Sequence, residues 1–391
     1  MAIGWDDVLA VVAGGPRENG SEELQQSALQ LADLLRQAGL EPELLSYIAQ
    51  PYRLRAVGLF ALAGALLYAV LIWRGRAGLA LACALIVPAA ILAELDFYVP
   101  IVGWVGAAEQ VHVEATLKAA HPAQHLIFAA HLDSKTDLLD HVERAPAELL
   151  GFPVALLMIV AAAAAVWRGR RGEVRRRSRL STVAALLAIV NGLALFASIS
   201  AGAFVHERSH GALDDGAACA VLVRLAERLA AAGPPARTDV TFLFLTGEEI
   251  GVYGSWIYAQ QAFSPPPTQP TVVVNLEFLG ATADMGLFDI EGFALRQLEP
   301  DARLVALLDE VHQQQRGAPL YRFGYPAATD GRSFLAHGVR AATLYNDLPG
   351  HAFPRDLHSA ADRRERVDPK ALDAALDYLQ DVARMADGRG L

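Results

Sequence analysis

Residues 239–255 read DVTFLFLTGEEIGVYGS, and they indicate the kind of fold that this 391-residue chain adopts. The first seven are mostly β-branched, aromatic or aliphatic without helical spacing, which predicts a short strand buried on both faces. Glu248 and Glu249 follow closely, and adjacent side chains of an extended or turning backbone point in different directions. One of these acids can therefore bind a metal ion while its neighbour faces a substrate.

Other buried strands of this kind precede further polar residues. Segments 126–130 and 272–278 read as strands, and amphipathic helices alternate with them, which is typical of an α/β sandwich around a mostly parallel sheet. Functional groups of such folds collect at the carboxyl ends of the strands. The acids and imidazoles there form an ordered series: His131, Asp133, Asp214, Glu248, Glu249, Glu277 and His358. Carboxylates and imidazoles together suit two zinc or manganese ions, and an extra acid remains to move protons.

The series resembles the motifs of the M28 metallopeptidases, the co-catalytic zinc aminopeptidases and their relatives. Those motifs are a His-x-Asp, a Gly-Ala-x-Asp-Asp, a Glu-Glu followed by Gly-x-x-Gly-Ser, an acid after Asn-Leu, and a late His-Ser. Here they lie at residues 131–133, 211–215, 248–255, 275–277 and 358–359. The resemblance covers residues 1–50, 109–135 and 210 to the end. It implies an α/β three-layer sandwich with a mostly parallel, mixed central sheet.

The resemblance also assigns roles to the series and implies two Zn²⁺ per chain. The metal ligands are His131, Asp214, Glu249, Glu277 and His358. Asp214 bridges the two ions, Glu248 is the general base, and Asp133 orients His131. Asp215, the neighbour of the bridging acid, is left to cap the helix predicted over 216–232. Many members have Asp at the position of Glu277, so the longer side chain is a departure from the pattern.

Three further residues are candidates for substrate binding by the same resemblance: Tyr325, Asp330 and His351. Asp330 stands in a Thr-Asp-Gly-Arg-Ser-Phe stretch similar to a family loop near the cleft. Tyr325 lies just upstream and could contact a tetrahedral intermediate. His351 competes with His358 for the role of late ligand, but only His358 is followed by the family's spacing to an Asp.

Four apolar windows explain why 53% of the residues are hydrophobic. They span residues 54–73, 79–95, 149–167 and 180–204, near the roughly 20 residues that cross a bilayer core. Buried helices of a soluble core are the alternative, but these windows lack the polar stripe of such helices. We predict two transmembrane hairpins, which place the protein in a lipid bilayer.

Cys83 and Cys219 are predicted to be small core residues without a disulfide.

The hairpin loops fix the expected orientation. Arg74 and Arg76 join the first pair of windows, and an arginine-rich linker at 168–179 joins the second. Short arginine-rich loops stay in the cytoplasm, so the catalytic segments are predicted outside it. The net charge of −10 argues against binding of nucleic acid. The predicted division of the chain is peptidase over 1–50, 106–147 and 206–391, and transmembrane hairpins over 51–105 and 148–205.

The expected activity is that of a membrane-bound, zinc-dependent exopeptidase, specifically an aminopeptidase acting on peptide or protein N-termini. Three alternatives remain open, the first of which is a carboxypeptidase specificity. A single-zinc glutaminyl cyclase shares the implied fold, and His131-Leu132-Asp133-Ser134-Lys135 is similar to that branch. A non-catalytic membrane scaffold with a peptidase-like domain is the third possibility. The sequence does not specify the residue preference or the oligomeric state.

Overall fold

The computed structural model describes residues 3–171, 178–292, 295–324, 326–351 and 354–391. Its helices are α1 (Trp5–Val12), α2 (Glu22–Gln37), α3 (Arg53–Trp73), α4 (Ala77–Phe97), α5 (His141–Arg170), α6 (Arg179–Ile199), α7 (Ala217–Ala232), α8 (Tyr253–Ala262), α9 (Ala302–Arg316), α10 (Asp330–Ala336) and α11 (Pro369–Arg389). Its strands are β1 (Pro42–Ala49), β2 (Ala108–Leu117), β3 (Gln124–His131), β4 (Thr238–Leu245), β5 (Thr271–Glu277), β6 (Met285–Phe288), β7 (Glu291–Gly292), β8 (Gln297–Leu298), β9 (Tyr321–Phe323) and β10 (Arg340–Asn346).

The chain divides into two compact units. The first comprises Met1–Pro51, Ala107–Lys135 and Glu207–Leu391, and the second comprises Tyr52–Gly106 and Thr136–His206. Residues 136–147, which the sequence assigned to the peptidase segments, group with the second unit. This difference from the predicted division arises because helix α5 begins at His141, whereas the predicted apolar window begins at residue 149.

An eight-stranded mixed sheet forms the centre of the first unit, in the order β1-β2-β4-β3-β5-β10-β6-β9. The four central strands β4, β3, β5 and β10 are parallel to one another. β1 and β2 join one side in antiparallel pairing, and β6 pairs antiparallel with β10 on the other. The central strands therefore end at one edge of the sheet, where ligand groups can meet.

Alternate residues of the central strands pack into two different layers. Leu126 and Phe128 belong to a core that includes residues of α1, α2, α7, α9 and α11. Ile127 and Ala129 belong to a second core with residues of α8 and α10. Helices thus cover both faces of the sheet, which explains why β4 and β5 are buried along their whole length. The expected three-layer α/β sandwich is confirmed.

Two serines near helix starts have different roles. Ser21 caps α2, because its hydroxyl oxygen accepts a hydrogen bond from the Leu24 N–H at 3.2 Å. Ser255 does not cap α8, since that helix begins at Tyr253 and follows Val252. The buried hydroxyl of Ser255 instead donates to Ser333 at 2.9 Å. Cys83 and Cys219 are both buried and unpaired.

The second unit contains four helices long and apolar enough to cross a membrane, namely α3, α4, α5 and α6. The core that they share consists mainly of alanines, such as Ala65, Ala84, Ala161 and Ala188, with a few larger residues such as Tyr68. Many larger apolar residues of the same helices are exposed outward, for example Ile86 and Val190 at 63% and 62% exposure. Small residues inside and large apolar residues outside are the pattern of helices that pack within a bilayer.

A buried ion pair joins the two ends of the first hairpin. The Nε of Arg53 lies 3.0 Å from Oε1 of Glu94, with side-chain exposures of 1% and 0%. The second oxygen of Glu94 accepts hydrogen bonds from the backbone N–H groups of Ile101 and Val102, at 2.6 and 2.9 Å. Arg53 is therefore neutralised inside the unit, which explains how a cation stands at the start of an apolar helix.

Replacing Glu94 by Gln should destabilise the protein by about 3–5 kcal/mol, because the Arg53 charge would remain buried without its counter-ion. Chemical unfolding of detergent-solubilised protein measures this loss. Glu148→Gln is the matched control, since Glu148 pairs with Arg144 at 3.3 Å but is 48% exposed. That exposed pair should contribute only about 0–1 kcal/mol. Equal losses in the two variants would contradict the structural role of the Arg53–Glu94 pair.

Candidate metal centre

The candidate site lies within the first unit, where three central strands end. β3 ends at His131 and β5 ends at Glu277, while Glu248 and Glu249 follow the end of β4. Ala129 pairs with Asn275 in the parallel register between β3 and β5. Two residues further along each strand, the same register brings His131 beside Glu277. Their side-chain atoms Nε2 and Oε2 are 3.7 Å apart.

Asp214 lies between the two imidazoles of the site. Its Oδ1 is 3.1 Å from Nε2 of His131, and its Oδ2 is 2.9 Å from Nε2 of His358. His358 also approaches Oε1 of Glu249 at 3.0 Å. Each carboxylate oxygen of Asp214 therefore serves one imidazole. One half of the site consists of His131 and Glu277, the other of His358 and Glu249, and Asp214 is common to both.

Asp133 holds the acidic loop rather than joining the ligand cluster. Its Oδ1 accepts hydrogen bonds from the N–H groups of Gly247 and Glu248 at 2.9 and 3.3 Å, and its Oδ2 accepts from Glu249 N–H at 3.0 Å. His131 is oriented by the backbone of the same residue, because its Nδ1 lies 3.0 Å from the Asp133 carbonyl oxygen. The Asp133 carboxylate is 3.7 Å from this nitrogen. Its main contacts are thus with the loop that carries both glutamates.

Glu248 and Glu249 have different surroundings, as their adjacency predicts. Glu249 is buried with 5% exposure and approaches His358, whereas Glu248 is partly exposed. Both glutamates follow Gly247, whose φ of +86° turns the backbone at the end of β4. A Cβ on Gly254 would overlap the carbonyl oxygen of Thr246, so this glycine lets α8 pack directly on the loop.

Asp215 does not cap a helix, which corrects the prediction. α7 begins at Ala217, and its N-terminal flank is Gly216 without a side-chain cap. The Asp215 carboxylate is fully buried and accepts a hydrogen bond from the backbone N–H of His131 at 3.3 Å. Asp215 therefore fixes the end of β3 while Asp214 faces the imidazoles. The peptide bond between the two aspartates is cis.

Asp362 connects the loops of two candidate ligands. It follows His358 by four residues and is fully buried. Its carboxylate accepts hydrogen bonds from the N–H groups of Leu213 and Asp214, at 2.8 and 3.3 Å. Burial raises the pKa of Asp362 to about 6. His358 itself has a φ of +61°, a strained value for a residue other than glycine, and such strain is common where side chains must be aimed.

The charges of this cluster are unbalanced without cations. Burial and the neighbouring acids raise the pKa of Glu248 and Glu277 well above the ordinary value. Burial alone would lower the pKa of His131, but its hydrogen bond to Asp214 and the nearby acids raise it well above normal. Oε1 of Glu277 is buried and has no hydrogen-bond partner among the described residues. Buried carboxylate oxygens and imidazole nitrogens in this arrangement fit zinc.

Asp330 and His351, two of the candidate substrate-binding residues, lie in different surroundings. Asp330 is fully buried at the start of α10, and burial raises its pKa to about 7. The side chain of His351 is 51% exposed, and its Nδ1 lies 2.9 Å from Oδ2 of Asp347. The His351 ring stacks on Tyr321 with a centroid separation of 3.5 Å. Tyr325 lies outside the described residues.

Sequence reasoning missed Arg17, a buried cation beside the segments that carry the candidate ligands. It belongs to a polar connector between α1 and α2, where a single arginine usually faces solvent. In the structure it is 2% exposed and donates hydrogen bonds to backbone carbonyls next to the ligands. No local pattern could have distinguished it from a surface residue, because its partners Leu132, His210 and Gly211 are more than 100 positions away.

Gly254→Ala should destabilise the protein by about 1–3 kcal/mol, because the added methyl group meets backbone atoms that cannot rotate away. Gly388→Ala is a matched control in helix α11, where an added Cβ meets nothing within 4 Å. The control should be neutral or more stable by up to about 1 kcal/mol, since Ala favours helices over Gly. Thermal unfolding compares the two, and a stable Gly254→Ala variant would argue against close packing of α8 on the acidic loop.

Known structures share this fold. A Zn-dependent exopeptidase from Parabacteroides distasonis is 13% identical, with a TM-score of 0.56 over 98% of this chain and 98% of the other. An aminopeptidase from Aneurinibacillus sp. strain AM-1 is 15% identical, with a TM-score of 0.53 over 98% and 94%. A glutaminyl cyclase from Fimbriiglobus ruber is 14% identical, with a TM-score of 0.56 over 98% and 96%. These identities support a common fold and do not distinguish between the activities.

Sequence comparison adds one finding at the level of the family. No protein of curated function matches the chain. The profile of Peptidase family M28 matches residues 197–383, a range that contains Asp214, Glu248, Glu249, Glu277 and His358. Residues 197–383, just under half of the chain, are therefore similar to peptidase family M28.

Proposed function

We propose that this protein is a membrane-bound, zinc-dependent exopeptidase, specifically an aminopeptidase with two Zn²⁺ per chain. The observation that carries the proposal is the position of Asp214, whose two oxygens lie 3.1 and 2.9 Å from the imidazoles of His131 and His358. A carboxylate shared in this way suits a bridging ligand. His131 and Glu277 would complete one metal shell, and His358 and Glu249 the other.

The chain supplies the proton chemistry through Glu248. It is partly exposed, close to the ligands, and held by a backbone that Asp133 fixes. Bound divalent cations would polarise the scissile carbonyl group and make water more acidic. Glu248 accepts the proton of the attacking water and returns it to the leaving amine. Asp133 keeps the carboxylate of Glu248 aimed, while Asp215 and Asp362 hold the segments that carry His131 and Asp214.

The substrates of this proposal are peptide or protein N-termini. Support comes from the family of residues 197–383 and from the fold shared with an aminopeptidase. Asp330 and His351 would contribute to the cleft, Asp330 from α10 and His351 from the loop after β10. Tyr325 remains a candidate from the sequence alone.

A glutaminyl cyclase activity is the second candidate. Its support is the fold shared with glutaminyl cyclases from Fimbriiglobus ruber and Porphyromonas gingivalis, at TM-scores of 0.56 and 0.54. A cyclase would close the ring of an N-terminal Gln with one zinc ion. Glu249 and His358 approach each other as closely as His131 and Asp214 do, which favours two metal positions.

Glu248→Gln should retain two zinc ions and lose about 10²- to 10⁴-fold in peptidase turnover, because only the proton acceptor is removed. Asp214→Asn should lose zinc as well as activity, since one shared oxygen becomes an amide. Zinc content and hydrolysis of aminoacyl substrates by detergent-purified protein measure both effects. Glu365→Gln, an exposed acid near His358, is the control and should behave like the wild type. One zinc with cyclisation of N-terminal Gln would establish the second candidate.

The proposal places the four apolar helices of the second unit in a bilayer, with both hairpin loops in the cytoplasm and the first unit on the other side. The support is the length and composition of the helices, with mean window hydropathy between 2.2 and 2.5. The arginines of the loops supply the orientation. Arg53 lies at the end of α3 opposite the first hairpin loop, where an unpaired arginine would oppose this orientation. Its charge is instead paired with Glu94.

Single cysteines at positions 171 and 365 test this orientation. In intact spheroplasts, a membrane-impermeant maleimide should label Glu365→Cys but not Arg171→Cys. In permeabilised cells it should label both variants. The wild type is the control, because Cys83 and Cys219 are buried. Labelling of Arg171→Cys in intact cells would reverse the proposed topology.

A further inference from the structure

The connector between α1 and α2, residues 13–21, lies against the segments that carry the candidate ligands. Its backbone pairs with Ser134, since the Arg17 N–H donates to Ser134 Oγ at 2.8 Å and the Ser134 N–H donates to the Arg17 carbonyl at 2.9 Å. Gly216, next to the Asp214 loop, permits a close approach on the other side. A Cβ there would overlap the carbonyl oxygen of Val12.

Arg17 reaches from this connector to two ligand segments at once. Its Nε donates to the carbonyl of Leu132 at 2.7 Å, between His131 and Asp133. Its Nη1 donates to the carbonyl of His210 at 2.6 Å, and its Nη2 to that of Gly211 at 3.1 Å. The guanidinium fork thus binds the end of β3 to the loop that carries Asp214. Only arginine provides several donors in one rigid plane.

Asn19 extends the same connector to the acidic loop. Its Nδ2 donates to Oδ2 of Asp133 at 2.6 Å. The Asp133 carboxylate is fully buried and also accepts the backbone N–H groups of Gly247, Glu248 and Glu249. The orientation of Asn19 is therefore linked, through one carboxylate, to the loop that carries the proposed base and a proposed ligand.

We propose that Arg17 and Asn19 are positioning residues that align the two halves of the metal site. Arg17 sets the separation between His131 and the shared Asp214, and Asn19 sets the orientation of the loop with Glu248 and Glu249. This inference rests on the proposed metal site and extends it to a segment more than 100 residues away in sequence. Loss of such outer contacts typically weakens metal affinity by about 10- to 100-fold.

The test compares Arg17→Lys, Arg17→Gln and Asn19→Leu with the wild type. The measurements are Zn²⁺ affinity by chelator competition, Co²⁺ absorption spectra of the metal site, and unfolding of the metal-free protein. Arg17→Lys keeps the charge but loses the fork, so it separates geometry from electrostatics. Arg36→Gln is the matched control, because Arg36 is an arginine of α2 that is 53% exposed and forms an ion pair with Asp33.

We expect Arg17→Lys and Arg17→Gln to bind zinc about 10- to 100-fold more weakly than the wild type, with an altered Co²⁺ spectrum. Asn19→Leu should bind more weakly as well, and Arg36→Gln should match the wild type. If Arg17→Gln does not fold, Asn19→Leu carries the test, because among the described residues the Asn19 side chain forms its hydrogen bond with Asp133. Wild-type affinity and spectra in Arg17→Lys and Asn19→Leu would overturn the inference. A wild-type protein that binds no zinc would overturn the proposed function together with it.

Discussion

Mutual repulsion among buried carboxylates is the constraint on which the first unit depends. Asp214, Asp215, Glu249 and Glu277 are all buried within one end of the sheet, and Glu248 lies beside them. The imidazoles of His131 and His358 both contact Asp214. Such a cluster is costly unless cations or many hydrogen bonds compensate its charge. The architecture around it supplies many of these hydrogen bonds.

Backbone amides supply much of this compensation. Asp133 accepts three of them from the acidic loop, Asp362 accepts two from the Asp214 loop, and Asp215 accepts the amide of His131. Each of these acids lies in one ligand segment and binds the backbone of another. The segments are therefore fixed relative to each other by charged acceptors, whose hydrogen bonds are stronger than those between neutral groups. This cross-linking explains why residues outside the ligand set matter for the geometry of the site.

The apolar hairpins enter the chain without disturbing the sheet register. The first follows the end of β1, and the second follows Lys135, beyond the end of β3. β1 and β2 still pair over their length, and β3 still pairs with β4 and β5. Insertions at strand ends are tolerated because the pairing there is complete before the chain leaves the sheet. The candidate ligand His131 precedes the second hairpin and Asp214 follows it, and the two side chains are consequently still in contact.

The amino-acid sequence alone predicted the α/β architecture, the apolar helices and the candidate metal ligands. These features depend on local signals: buried strands without helical spacing, long apolar windows, and acids or imidazoles that follow strands. The meeting of His131 with Glu277, and of Asp214 with both imidazoles, required the sheet order and register, which no local pattern specifies. The same holds for Arg17, Asn19 and the true partner of Asp215, whose contacts join positions far apart in the chain. Local propensity is short in range, whereas the burial and alignment of charged groups result from packing of the whole unit.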